Sequence, residues 1–146
     1  MDLNVKSAFL MSRHLLPAMM AHGDDCIINI ASMAGLLHSA PVGLMGFYPM
    51  AKTALIALTR TMAVEWAPAI RVNAIAPGVI ATPRVVAHGM VSSDPDVLEG
   101  VPLRRLGTPA DIAAAALYLA SGGTWVTGTV LEVHGGLSPA VRHVRI

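Results

Sequence analysis

Apolar residues recur at helical spacing from residue 3 to about residue 21 (Val5, Phe9, Leu16, Met19), and Gly23 supplies a stop. A short apolar run at 26–30, bounded by Asp24-Asp25 and Ser32, predicts a buried strand. Residues 33–46 hold Gly35, Pro41, Gly43 and Gly46 and predict a loop. A second helix is predicted from about 47 to 67, with Ala51, Ala54, Leu55, Leu58 and Met62 on its apolar side and Pro68 ending it. Residues 71–76 are the next strand candidate, punctuated by Pro77-Gly78. The stretch 79–107 has no clear period, and Pro83, Pro95, Pro102 and Gly107 predict irregular chain. A third helix starts at Thr108, a suitable N-cap, with Pro109 at the first helical position and Asp111 at the third. It runs to about residue 119. The last strand, 129–133, is closed by Gly135-Gly136.

Strand alternating with helix predicts an α/β fold with a parallel sheet and crossover helices. The pattern opens with a helix and supplies only three strands, so one sheet edge is expected to take further strands. No internal repeat or low-complexity tract is present, and 146 residues make one domain. With 54% hydrophobic and 13% charged residues, disorder is excluded. So apolar a composition in so small a chain predicts an apolar surface or a large interface. Ten Lys and Arg against nine Asp and Glu leave no basic surplus for phosphates, which argues against a nucleic-acid partner. The single cysteine, Cys26, has no partner for an internal disulfide and fits a reducing, cytoplasmic setting. Lys52, Arg60 and Glu65 interrupt the longest candidate for a membrane span, and Asp2, Lys6, Arg13 and His14 break any signal-peptide core.

The most informative local motif is Tyr48-Pro49-Met50-Ala51-Lys52. Tyr and Lys four apart share a helix face. An ammonium beside a phenol favours phenolate, which would equip Tyr48 for acid/base work. Taken alone, the pair reads more readily as the start of a surface helix. Ser32 follows the first strand, in Asn29-Ile30-Ala31-Ser32-Met33-Ala34-Gly35, where parallel sheets carry their ligand crevice. Its hydroxyl would hydrogen-bond a substrate oxygen, or merely make a turn. Pro77-Gly78 ends the second strand, with Thr82 four residues beyond Gly78. Glycine permits close backbone approach and threonine an amide contact; an ordinary turn is the alternative. Asn4, in the first helical turn, also reads as a plain helix-start residue. Six histidines (His14, His22, His38, His88, His134, His143) lack metal-ligand spacing, so no metal site is predicted, and they read as surface or loop residues. Nine methionines read as core or interface filler.

Together these residues resemble the short-chain dehydrogenase/reductase family. The resemblance runs from Asp2-Leu3-Asn4-Val5 to Glu132-Val133-His134-Gly135-Gly136, through Ile70-Arg71-Val72-Asn73, Arg105-Leu106-Gly107-Thr108-Pro109 and Val126-Thr127-Gly128. It implies an alcohol/carbonyl oxidoreductase with a small-molecule substrate and NAD or NADP as cofactor. Ser32 would polarise the substrate oxygen and Tyr48 would donate or accept the proton. Lys52 would bind the nicotinamide ribose and lower the Tyr48 pKa, and Asn4 would hold a water linking Lys52 to solvent. Pro77, Gly78, Ile80 and Thr82 match the segment around the nicotinamide, and residues 83–103 match the variable substrate-binding segment. The family also implies a homodimer or homotetramer through helices 3–21 and 47–67.

The sequence departs from the family pattern too. It contains no glycine-rich phosphate loop, no residue selecting NAD over NADP, and no Asn-Asn-Ala-Gly segment. Residues 1–146 are therefore expected to form an incomplete domain: the C-terminal half of a doubly wound Rossmann-like sheet, short of about 100 residues. A mis-set start at Met1 would explain this. The 15 residues between Ser32 and Tyr48 exceed the usual spacing, which implies an insertion at His38 to Gly46. Residues 67–70 are one residue short, and His134 replaces a common Asp. Two other readings stand beside the oxidoreductase. One is an inactive remnant or oligomerisation module. The other is an epimerase or dehydratase of the extended branch, against which the compact ending at Gly135-Gly136 argues.

Overall fold

The computed structural model describes residues 1–23, 25–36, 46–87 and 98–137. The three apolar runs become strands β1 (Asp25–Ile30), β2 (Ile70–Pro77) and β3 (Val130–Val133). They form one parallel sheet in the order β1-β2-β3. Cys26 lies opposite Arg71, and Ala74 lies between Asn29 and Val130.

A π-helical turn at Asp2–Lys6 leads into helix α1 (Ser7–His22). Gly23 ends it at a φ of +72°, where its N–H reaches Met19 O; most side chains avoid that conformation. Helix α2 (Phe47–Glu65) buries Ala51, Leu55, Ile56, Thr59, Met62 and Ala63, a stripe at helical period. Beyond the short helix α3 (Pro83–Ala87), helix α4 (Pro109–Leu117) runs on into a π-helical turn, Tyr118–Gly122. Thr108 caps it as the sequence predicts: its side chain accepts from Asp111 N, and the Asp111 carboxylate accepts from Thr108 N.

β2 is central and covered on both faces. Ile70, Val72 and Ala74 pack in clusters with Met62, Ala63 and Ile56 of α2. The alternate residues Arg71 and Asn73 serve the other face. Arg71 donates to the carbonyls of Leu119, Ala120 and Gly123, gathering the end of the α4 segment. Asn73 donates to Val126 O at 2.8 Å and accepts from Thr129 N at 3.1 Å, so both ends of this buried amide are satisfied.

One stretch differs from expectation. Pro83–Ala87 is helical (α3), where the sequence predicts irregular chain. Thr82 starts it: its hydroxyl accepts from Val85 N at 3.3 Å and its carbonyl from Val86 N at 3.0 Å, while Pro83 needs no N–H partner. The expected insertion at His38 to Gly46, apart from Gly46 itself, and residues 88–97 of the 83–103 segment lie outside the described residues.

Candidate active site

Parallel strands place the carboxyl ends of β1 and β2 at one end of the sheet, where Ser32 follows β1 and Pro77-Gly78 close β2. Ser32 follows β1 and caps a 3₁₀ turn at Met33–Gly35, its Oγ accepting from Ala34 N at 3.2 Å. That turn lies directly on α2. A Cβ on Gly35 would sit 2.6 Å from the backbone carbon of Lys52. Thr53 Oγ1 bonds Gly35 O at 2.9 Å and Pro49 O at 3.0 Å, which pins the first turns of α2 beside the Ser32 turn.

Lys52 is the best-defined group of the site. Its Nζ donates to Ile30 O at 2.8 Å and lies 5.7 Å from the centroid of the half-exposed Tyr48 ring. Partial burial pushes its ammonium below the ordinary lysine range. Lys52, Asn4, Asn29 and Ile30 line one open cleft of about 380 Å³. Asn4 enters it from the first helical turn, so two of the four predicted catalytic positions share this space.

Pro77, Gly78, Ile80 and Thr82 lead away from β2. Gly78 N–H bonds Val133 O at 2.9 Å, and a Cβ there would fall 2.6 Å from the His134 Cβ. Glycine is thus required by close approach to the end of β3. Beyond it, Gly107 N–H reaches Val79 O at 3.0 Å and Ala81 N–H reaches Gly107 O at 2.8 Å, stitching the segment to the approach of α4.

Three features were not foreseen from sequence. The Ile30 carbonyl is the Lys52 acceptor. Asn29, inside an apolar run, bonds Thr59 across to α2 at 2.9 Å. His134, expected as a surface or loop histidine, has a side chain only 11% exposed, with Nε2 2.8 Å from Glu132 Oε2 and Nδ1 buried without a partner among the described residues. The bare end of β2 at Gly78 presses on it, which removes it from solvent. Only an Asn in the 26–30 run and a Thr seven residues after Lys52 hinted at the second. No helix of the described residues is long and apolar enough to cross a membrane.

Comparison with known proteins gives concordant results. A family profile described as enoyl-(acyl carrier protein) reductase matches residues 1–138. An uncharacterized oxidoreductase of Mycobacterium tuberculosis is 45% identical over 141 residues, covering 92% of this chain and 51% of its own length. Galactitol 2-dehydrogenase (L-tagatose-forming) of Cereibacter sphaeroides is 40% identical over 142 residues, covering 93% and 54%. A 3-oxoacyl-[acyl-carrier protein] reductase of Brucella melitensis, solved with bound NAD, superposes with a TM-score of 0.76 at 37% identity, covering 93% of this chain and 49% of that one. The chain spans about half the length of the relatives it matches, and its three-stranded parallel sheet agrees with the expected half of a Rossmann-like fold. On this fold, this site and these relatives, the chain belongs to the short-chain dehydrogenase/reductase family.

Proposed function

We propose that the polypeptide containing this chain interconverts an alcohol and a ketone or aldehyde with NAD or NADP, using Tyr48 as general acid/base. The observation that carries this reading is the placement of Lys52. Its ammonium is held by Ile30 O, lies beside the Tyr48 ring and shares a cleft with Asn4.

The residues fit the nicotinamide end of such a cofactor. Pro77 and Gly78 lie at the carboxyl end of β2, with Ile80 and Thr82 following, where a parallel sheet carries its ligand crevice. Bound there, the dinucleotide would supply or accept the hydride. Tyr48 transfers the hydroxyl proton of the substrate, and Lys52 holds the ribose. The Ser32 Oγ accepts from Ala34 N and so keeps its own proton to donate to the substrate oxygen. Asn4 holds a water on the route from Lys52 to solvent. Residues 83–103 shape the substrate pocket for a small alcohol or carbonyl compound.

Self-assembly into a dimer or tetramer is part of the same reading. Phe9, Leu10, Leu15 and Met20 of α1 and Met50 and Val64 of α2 are exposed apolar side chains on the two helices concerned. The test is Tyr48→Phe in the polypeptide that contains this chain, followed by nicotinamide absorbance with polyol and ketone substrates. Turnover should fall by at least about 100-fold while cofactor binding persists. Unchanged turnover would overturn the assignment. A folded wild type that binds neither NADH nor NADPH would favour the non-catalytic module instead.

A further inference from the structure

Helix α2 is tied to β1 by two polar contacts, two helical turns apart. Lys52 makes the first, to Ile30 O. Thr59, seven residues on and on the same face, makes the second: Asn29 Nδ2 donates to its Oγ1 at 2.9 Å. Thr59 Oγ1 in turn donates to Leu55 O at 2.8 Å, so its proton is committed and the amide has to be the donor. Thr59 is fully buried and Asn29 nearly so. Asn29 directly precedes Ile30, so the two ties hold adjacent residues of one strand.

The surrounding contacts cannot fix this register. Ile27, Leu58, Met62 and Val72 pack through non-directional apolar surface, which tolerates small rotations and slides of a helix. A buried amide–hydroxyl pair carries a desolvation cost that an apolar pair of the same volume avoids. What the polar pair adds is direction.

We propose that Asn29 and Thr59 are a positioning pair for Lys52. They set the rotation of α2 on β1 so that the ammonium meets Ile30 O in the cleft it shares with Asn4. Their effect on catalysis rests on the oxidoreductase reading; their effect on Lys52 does not. Among the side chains lining that cleft (Leu3, Asn4, Ser7, Ala8, Met11, Ile28, Asn29, Ile30, Leu55), Lys52 alone titrates, and Tyr48 is the titratable neighbour on its own helix.

The chain contains only two lysines, Lys6 and Lys52, so a [¹³C]lysine NMR titration of the full 146-residue protein reads Lys52 directly, with the exposed Lys6 as internal reference. In the wild type Lys52 should titrate below the ordinary lysine range, because burial disfavours its charge. Thr59→Val should move the Lys52 midpoint up toward the ordinary lysine range, and Thr59→Ser, which restores the hydroxyl, should return it. If the orphaned amide in Thr59→Val prevents folding, the double variant Asn29→Leu/Thr59→Val removes both polar groups at once and should show the same shift. A folded Thr59→Val or double variant with the wild-type Lys52 midpoint would overturn the proposal, as would a folded Thr59→Ser that fails to restore it. This reading needs no turnover. Absent turnover in the polypeptide that contains this chain would count against the oxidoreductase and leave the positioning pair standing.

Discussion

One carboxylate carries much of the start of α4. Asp111 accepts from Thr108 N and Thr108 Oγ1 at 2.7 and 2.8 Å and takes both terminal nitrogens of Arg105 at 2.8 Å. The Arg105 guanidinium, followed by the Thr108 donors, holds its carboxyl well below the usual carboxylate range. A carboxyl whose folded pKa lies below its unfolded one stabilises the fold fully above the unfolded value, near about 3.9, and loses that contribution as pH falls through the folded value. Thermal melts of wild type should therefore drop on acidification below that value, and Asp111→Asn should flatten the drop. An unaltered acid limb in Asp111→Asn would refute this account. Thr108→Ala removes the cap hydroxyl and should cost about 1 kcal/mol in a urea melt. This corner was readable from sequence because Thr108, Pro109 and Asp111 act within one turn. Asn29 and Thr59 were not: they are 30 residues apart and meet only after β1 and α2 have packed. His134 escaped for a similar reason, since Gly78, which packs against it, follows a different strand.

At the scale of elements, the site depends on how closely the Ser32 turn approaches α2. Gly35 permits that approach through its missing side chain, as a Cβ would lie 2.6 to 2.8 Å from Lys52 C, Lys52 Cβ and Thr53 N. Two of those atoms are backbone and cannot rotate away. Gly35→Ala should push the turn off the helix, break the Thr53–Gly35 bond and cost about 1–3 kcal/mol. A thermal melt within experimental error of wild type would show that the two elements can separate without penalty. The apolar pattern located α1, β1, α2, β2 and β3 to within a few residues, and the Thr108-Pro109-Asp111 cap located the start of α4. Helix α3 was missed because it is only five residues long, too short for a period, and is set by the Thr82 cap and Pro83. The same limit applies to the site. The sequence ordered Ser32, Tyr48 and Lys52 along the chain, but the Ile30 acceptor that fixes Lys52 emerges only from the crossing of α2 over β1.

At the scale of the whole molecule, β2 is covered on both faces and paired on both edges, whereas β1 pairs with β2 alone among the described residues. Ile30, at the end of that edge, is 47% exposed. An apolar strand with unpaired backbone groups is a template for association. The exposed apolar face of α1 is a second, separate adhesive surface, and with 13% charged residues little in the composition opposes either. The purified 146-residue chain should self-associate in a concentration-dependent way by sedimentation velocity. Two charge insertions separate the routes. Ile30→Lys places a cation on the β1 edge, where charge blocks strand addition, and Leu10→Glu places an anion on the α1 face. Recovery of a monomer by Ile30→Lys alone would identify the sheet edge, and recovery by Leu10→Glu alone the helical face assigned to the proposed dimer. A wild-type chain that sediments as one monodisperse monomer and unfolds cooperatively would contradict both, and would mean that three parallel strands and these helices satisfy their own surfaces.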